Sequence, residues 1–351
     1  MCKRLAQLTA ALLMAATLLA GRTAAANPYR YDFALQKMFT GPILGGCGGN
    51  WQDPRCQAVM NSAWRSLMSQ MGVIFAPQFL APSETTGWNG FVFNFKYGLT
   101  TLDSKANYWK YGVDGSPQPV ASTVSFEVRK GIWMPLPSFE LGGGFTHLVD
   151  SHMFSVNLFA KFALHEGFLD WPTPALAVRG TFQRIVGTHQ VDFTILSTDV
   201  SISKAFGIAG SFNLTPYVGY NIMWIIAKSG VIDGTPNHDA LQCSDGRCDG
   251  TGDPWGQPLG SGAYCNTSED PDCNGYYVFF DQKAILRHRV FFGMRLYFTV
   301  SSKLRLVFTT EYSMTIKGLS NDSVTIGQTS FPLKDDAPMQ HTWGISVGLD
   351  Y

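Results

Sequence analysis

The C-terminal part of the chain alternates between apolar and polar residues with a period of two. Within 286–300 the even positions are apolar apart from His288, whereas the odd positions include three arginines. A second run of this kind covers 304–316, and a third covers 342–351 and ends on Tyr351. Successive side chains of a β-strand point to opposite faces, so this period predicts three strands that each have one apolar face.

The first two runs are longer than the strands of a soluble sandwich, which usually have about five or six residues. A tilted strand needs about nine to eleven residues to cross a bilayer, and its backbone can be satisfied there only by neighbouring strands of a closed barrel. The pattern therefore predicts membrane-spanning strands.

The last strand also carries a family resemblance. Its apolar positions, which include Trp343, Val347 and Leu349, alternate with small or polar residues up to Tyr351. This arrangement resembles the C-terminal signal of Gram-negative outer-membrane β-barrel proteins, most of which end on phenylalanine. The resemblance implies a location in the cell outer membrane, contact with membrane lipid and lipopolysaccharide, and recognition by the barrel insertion machinery. It points to no particular functional family.

The alternation continues upstream and predicts seven more strands, at about 88–102, 124–129, 138–149, 154–164, 176–183, 191–202 and 208–228. Together with the three C-terminal strands, they predict an all-β fold class, a closed antiparallel transmembrane β-barrel of about ten strands. A barrel of twelve strands is the alternative, with the extra strands at 71–81 and 276–280.

The strands and their connections have two further features. The apolar positions of 191–202 change phase midway, which predicts a β-bulge near Leu196 or Ser197. Long connections follow odd-numbered strands and tight turns follow even-numbered ones, as in barrels whose chain ends both lie in the periplasm. The longest connection, 229–281, is then a large external loop.

The N-terminal part divides into two segments. Lys3 and Arg4 precede a mostly apolar run at 10–20 that is too short for a spanning helix, and small residues follow it up to Ala26. These features predict a signal peptide at 1–26. Residues 27–87 then form a periplasmic or plugging segment before the barrel at 88–351, with one amphipathic helix at about 54–72 that starts after a capping Asp53.

Composition agrees with a barrel and excludes other classes. The chain has 351 residues, no formal net charge and a mean hydropathy of +0.01. Hydropathy this low argues against a bundle of membrane helices, whereas a barrel places apolar residues at only every second position. A neutral chain also lacks the basic face that nucleic-acid binding needs, so no nucleic-acid partner is expected.

Six cysteines follow the predicted signal peptide. An even number in an exported chain implies disulfides, and each cysteine lies close to one neighbour in sequence. The expected pairs are Cys47 with Cys56, Cys243 with Cys248, and Cys265 with Cys273. Metal binding by these thiols is the less favoured alternative, because no CxxC spacing is present.

Many charged residues fall on the inward face of the predicted strands. Opposite charges in a narrow lumen pair with each other, which favours a salt-bridged interior. Alternatively, a strip of arginines guides an anionic solute through charge-assisted hydrogen bonds. The residues assigned to the lumen or to selectivity are Arg287, Arg289, Arg295, Arg305, Glu311, Arg129, Glu127 and Lys161.

Catalytic and metal sites have weaker signals. Histidines at 147, 165, 189 and 288 fall near strand ends, where barrel hydrolases and acyltransferases hold catalytic groups, but no catalytic motif accompanies them. We therefore predict no enzyme activity and no organic cofactor. Asp270, Asp272, Asn274 and Asp281 have the spacing of a calcium loop. The alternative to calcium binding is that Pro271, Cys273 and Gly275 form a turn closed by a disulfide.

The leading functional hypothesis is a narrow channel or solute-binding barrel that passes or binds a small solute, in particular an anionic one. The alternative is a closed structural or surface-interaction barrel that acts through its external loop. A hydrolase or acyltransferase at the barrel rim is less favoured.

Overall fold

The computed structural model describes residues 29–39, 41–88, 90–132, 138–166, 173–208, 212–233, 276–301, 304–319 and 322–351. Ten long strands dominate these ranges. They are β1 (Phe91–Thr101), β2 (Val120–Ile132), β3 (Phe139–Leu148), β4 (Phe154–His165), β5 (Ala175–Val186), β6 (Val191–Ser203), β7 (Phe212–Ser229), β8 (Gln282–Ser301), β9 (Leu304–Thr315) and β10 (Gln340–Asp350).

Shorter elements lie between the barrel strands and before them. The helical ones are a 3-10 turn (Leu35–Phe39), a short helix (Gly41–Leu44), the N-terminal helix (Pro54–Phe75) and one turn at Asn107–Lys110. The extended ones are Phe206–Ile208, the pair Ile232–Asp233 with Tyr276–Tyr277, and a hairpin formed by Asp322–Ile326 and Thr329–Leu333.

The ten strands close into an antiparallel barrel. Consecutive strands pair from β1 to β10, and β1 pairs with β10 in a register that sets Phe93 opposite Leu349. Closure leaves no barrel edge unpaired, because every barrel strand has a neighbour on both sides. The predicted ten-strand barrel is confirmed, and the twelve-strand alternative is wrong. Residues 71–75 end a helix, and 276–277 pair only with the short strand Ile232–Asp233.

An apolar belt surrounds the barrel. Val290, Phe292 and Phe308 are 45%, 55% and 38% exposed, so no part of the chain that the structure describes covers this patch. A continuous apolar outer surface on a closed barrel of this strand length is stable in lipid, where it meets acyl chains. The protein is therefore a transmembrane β-barrel of the outer membrane. Separately, no helix within the described ranges is long and apolar enough to cross a bilayer.

The two ends of the barrel differ. The "loop end" carries the connecting residues 102–119, 149–153, 187–190, 230–233, 276–281, 316–319 and 322–339, and the "terminal end" is where β1 begins and β10 stops. The N-terminal helix lies at the loop end, where the Asn61 amide donates 2.7 Å to the Tyr277 hydroxyl. The Asp53 carboxylate caps this helix by accepting from Arg55 N at 2.7 Å. The helix stops just before Pro77, which disfavours a helical conformation for Ala76.

One disulfide joins the start of the N-terminal helix to the preceding turn. Cys47 and Cys56 are bonded, with their Cα atoms 5.3 Å apart, which confirms this predicted pair. The other four cysteines lie outside the described residues, so their pairing stays a prediction.

The bulge predicted in β6 is wrong. β6 pairs with both β5 and β7 without any shift of register. Val191, Phe193 and Ile195 point inward and are buried in one apolar cluster with the N-terminal helix. In the first half of β6, the apolar residues face inward because they pack against this helix. In the second half, the inward residues are polar and the apolar residues Val200 and Ile202 face outward.

Candidate functional site

Residues 76–88, the "lumen strap", lead from the N-terminal helix at the loop end towards the start of β1 at the terminal end. The Pro77 carbonyl accepts from Arg289 on β8 at 2.8 Å. Ser83 Oγ lies 3.0 Å from Ser201 Oγ on β6, and Thr86 N donates 2.9 Å to Glu140 on β3. These partners are inward-facing side chains on separate parts of the wall, so the strap runs through the lumen.

Phe79 anchors the part of the strap that follows the N-terminal helix. Its side chain is fully buried, and its ring centroid lies 4.6 Å from that of Phe291 on β8. The guanidinium carbons of Arg179 and Arg289 lie 3.9 Å and 4.8 Å from the same centroid. Cations over an aromatic face are attracted to its negative charge density, more strongly where water is excluded.

Glu311 on β9 holds the backbone next to Phe79. Its carboxylate accepts from Leu80 N at 2.8 Å, from Phe79 N at 3.3 Å and from the Tyr217 hydroxyl at 2.9 Å. Leu80 has a φ of +45°, a left-handed conformation that non-glycine residues rarely adopt. The carboxylate therefore binds two successive amides at a bend that the backbone would not favour alone.

Lysines of the wall bind strap carbonyls and carboxylates at the same time. Lys96 Nζ on β1 donates to the Gln78 carbonyl at 2.8 Å and pairs with Glu127 at 2.6 Å. Lys161 Nζ on β4 donates to the Glu84 carbonyl at 2.8 Å and lies 3.2 Å from Glu140. Each buried ammonium thus has a carboxylate partner and a strap partner.

The predicted salt-bridged interior extends across neighbouring strands. Arg129 on β2 lies between Glu127 and Glu140, at 3.5 Å and 3.7 Å. Farther round the barrel, Arg179 on β5 pairs with Asp199 on β6 at 3.0 Å. Charges buried this deeply need a partner, because an isolated ion would cost several kcal/mol of desolvation.

The arginines of the predicted selectivity strip occupy different surroundings. Arg287 donates to Ser69 Oγ of the N-terminal helix at 2.7 Å, and Arg289 donates to the strap as described. Arg295 lies 3.3 Å from the Glu84 carboxylate of the strap, whereas Arg305 is largely exposed at the terminal end, 3.9 Å from Asp350. The first three bind the N-terminal segment of the chain. A role in selectivity stays a prediction for all four.

Polar side chains of the N-terminal helix form a second set of contacts at the loop end. Ser69 Oγ donates to the Asp335 carboxylate at 2.7 Å, and the side-chain oxygen Oε1 of Gln70 accepts from Trp109 Nε1 at 2.7 Å. Burial raises the pKa of the Asp335 carboxyl, although the Ser69 hydrogen bond and the Arg287 charge oppose the shift. Burial also raises the pKa of Tyr277 to about 12.

Ser69, Gln70, Asp335 and the residues of the lumen strap were not predicted as site residues from the sequence. A signal was present for the first two, because Ser69 and Gln70 interrupt an apolar run between Met68 and Met71. The strap has no periodicity, so only its position between a helix and the first strand sets it apart.

The calcium prediction falls mainly outside the described residues. Asp270, Asp272 and Asn274 are not described, and Asp281 lies 3.4 Å from Lys228 Nζ. Within the described part of the chain, no group of three or more His, Cys, Asp or Glu side chains is placed to hold a metal. The calcium site stays a prediction.

The rim histidines have ordinary neighbours. His147 Nδ1 lies 3.2 Å from the Met153 carbonyl, and His288 Nδ1 lies 2.6 Å from the Tyr220 hydroxyl. His189 lines a cavity of about 540 Å³ that also includes His152 and Asp32, whose ring nitrogen and carboxylate are 2.5 Å apart. A second cavity, of about 440 Å³, lies beside the N-terminal helix.

Solved structures with a similar fold are outer-membrane barrels of several kinds. The outer membrane protease OmpT from Escherichia coli is 8% identical, with a TM-score of 0.32, over 75% of this chain and 96% of that one. The beta domain of the Bordetella autotransporter BrkA is 10% identical, with a TM-score of 0.34, over 75% and 99%. The attachment invasion locus protein Ail of Yersinia pestis is 9% identical, with a TM-score of 0.24, over 75% and 99%.

No family model matches the chain, and no curated protein matches it. These structures include a protease, an autotransporter beta domain and an attachment protein, at identities that show no shared activity. What the protein does must therefore be argued from its own lumen and loop end.

Proposed function

We propose that the protein is a closed outer-membrane barrel that acts as a surface-interaction protein through its loop end. The observation that carries this proposal is the lumen strap, which binds inward-facing side chains on β1, β3, β4, β6, β8 and β9. A solute could cross the barrel only by displacing these contacts. Several of the wall groups are buried charges, which are costly to leave unpaired.

The loop end carries the elements outside the barrel wall that could form a binding surface for a partner. The N-terminal helix, the connection 102–119, the short strand pair Ile232–Asp233 with Tyr276–Tyr277 and the hairpin 322–333 all lie there. Loops on a rigid scaffold are where binding surfaces are usually found. The closed lumen and this surface together support binding at the membrane surface over transport.

Single-channel recording in planar bilayers tests the closed lumen. We expect the wild-type protein to be silent and a variant lacking residues 29–87, which removes the helix and most of the strap, to conduct steadily. A folded deletion variant that stays silent would mean that the wall side chains, and not the strap, close the barrel. Glu311→Ala, which keeps the strap but removes its anchor, is the second variant if the deletion does not fold.

A locked variant distinguishes a fixed strap from a gate. Ser83 and Ser201 have their hydroxyl oxygens 3.0 Å apart, so Ser83→Cys with Ser201→Cys places two sulfur atoms close enough for a disulfide. The proposal expects no conductance in either redox state of this variant. Wild-type conductance that disappears when the locked variant is oxidised would overturn the proposal and support the channel predicted from the sequence, with the strap as its gate.

A further inference from the structure

The cavity of about 440 Å³ at the loop end is within the size range of small-molecule pockets. It lies between the N-terminal helix, the helix Gly41–Leu44, the turn Asn107–Lys110 and the end of the hairpin 322–333. Its apolar lining residues are Pro42, Ile43, Ala58, Val59, Ala63, Phe331 and Pro332. An apolar body of moderate size therefore fits between these walls.

Hydrogen bonds and a disulfide hold the walls of this cavity. Ser62 Oγ accepts from Lys334 N at 3.2 Å, and Ser66 Oγ accepts from Asp336 N at 2.9 Å, which ties the segment after the hairpin to the N-terminal helix. The Cys47–Cys56 disulfide fixes the start of the same helix. A cavity held in this way is formed before a ligand arrives, which lowers the entropic cost of binding.

The charges around the cavity give it a preference for anions. Arg55 and Lys334 line it, are exposed, and form no ion pair with another residue in the described ranges. Asp336 is the one carboxylate among the lining residues. The balance is one positive charge next to apolar walls, and the Tyr108 hydroxyl, which accepts from Gln70 at 2.7 Å, adds a polar atom.

We infer that this cavity binds an amphiphile with an apolar body and one anionic group, and that Arg55 and Lys334 attract the anionic group. The inference rests on the proposed function, because it names a ligand class for the loop end. The two can fail separately, since ligand binding and conductance are independent measurements.

Titration calorimetry with octanoate tests the inference on the full-length protein in phosphatidylcholine nanodiscs, with empty nanodiscs as the blank. We expect saturable binding to one site, and weaker binding of 1-octanol and octylammonium, which share the apolar chain. Arg55→Gln and Lys334→Gln should each weaken octanoate binding about five-fold, the size of one exposed charge pair. Asp336→Asn should strengthen it, because it removes a like charge.

Two controls separate the cavity from the lipid and from general charge effects. Val59→Trp and Ala63→Phe, made separately, fill the cavity from two positions and should each abolish saturable binding. Lys283→Gln removes an exposed lysine that does not line the cavity and should leave the affinity unchanged. Unfolding by heat in a gel-mobility assay shows which variants have a folded barrel.

Two results would overturn the inference. Octanoate binding that persists in both folded filling variants would place the ligand elsewhere. Equal affinity for octanoate and octylammonium, with no effect of Arg55→Gln or Lys334→Gln, would show that the rim charges do not select an anion.

Discussion

The carboxylate of Glu311 on β9 accepts a hydrogen bond from the backbone amide of Leu80 at 2.8 Å. Glu311 belongs to the barrel wall, and Leu80 belongs to the strap that runs through the lumen. A buried carboxylate that binds backbone amides is stabilised by charge-assisted hydrogen bonds, and the amides would otherwise be unpaired away from water. The barrel and its N-terminal segment are thus joined inside the barrel.

Glu311→Ala should loosen the strap. It leaves two strap amides and the Tyr217 hydroxyl without their acceptor, and breaking a buried charged interaction costs about 3–5 kcal/mol. We expect a lower urea midpoint for unfolding and the appearance of brief conductance steps in planar bilayers.

Thr309→Val is the matched control for this change. Thr309 is also buried on the inward face of β9, but its hydroxyl has no hydrogen-bond partner among the described residues. Removing an unpaired hydroxyl should be neutral or slightly stabilising. A Glu311→Ala variant with no conductance steps and an unchanged urea midpoint would contradict the anchoring role of Glu311.

Loss of the Cys47–Cys56 disulfide should destabilise the N-terminal segment without opening the barrel. The bond closes a short loop with a sequence separation of 9 residues, for which chain entropy predicts about 2–3 kcal/mol. Cys47→Ser with Cys56→Ser should therefore increase proteolysis at 41–56, while the barrel keeps its resistance to unfolding by detergent. Equal proteolysis of wild type and variant would show that apolar packing alone holds the segment.

The architecture could be predicted because lipid imposes a strict rule on the outward face. Outward positions of β8, β9 and β10 are mostly apolar, so the period of two can be recognised without knowing which residues fill the interior. The inward face follows no such rule. The inward face of β6 is apolar at Phe193, because the N-terminal helix packs against that residue. The same face is charged at Asp199, because Asp199 pairs with Arg179.

The candidate site was harder to predict, because its polar partners are far apart in sequence. The inward charges at Lys96, Glu127 and Glu311 could be assigned from alternation, but their shared partner, the strap, has no pattern of its own. Ion pairs between inward-facing residues of neighbouring strands could therefore be predicted from the sequence. The contacts with Gln78 and Leu80 depend on where the chain runs after the helix.

The outer surface of β8 should not tolerate a charge at the level of the belt. Phe292 is 55% exposed on the lipid-facing side, so Phe292→Arg places a cation in the acyl chains, at a cost of about 2–4 kcal/mol near the bilayer centre. Equilibrium unfolding from phosphatidylcholine vesicles measures this loss. Phe292→Leu, which keeps the surface apolar, should cost much less, and equal losses for both variants would contradict a lipid-facing position.

The docking of the N-terminal helix should weaken as pH rises, because of Asp335. Burial raises the pKa of this carboxyl in the folded protein above its unfolded value, which is about 3.9. The folded state therefore binds the proton more tightly than the unfolded state. The resulting stabilisation is present below the unfolded pKa and is lost as pH rises through the raised folded pKa.

Asp335→Asn tests this dependence, because the amide keeps the shape of the side chain and cannot titrate. Ser69 can still donate to the amide oxygen, so the contact that it makes at 2.7 Å in the wild type is retained. We expect proteolysis of the N-terminal helix to increase with pH in the wild type and to be nearly independent of pH in this variant. Asp336→Asn, at the exposed neighbouring residue, should leave the wild-type dependence in place. An unchanged pH profile in Asp335→Asn would assign the dependence to another group.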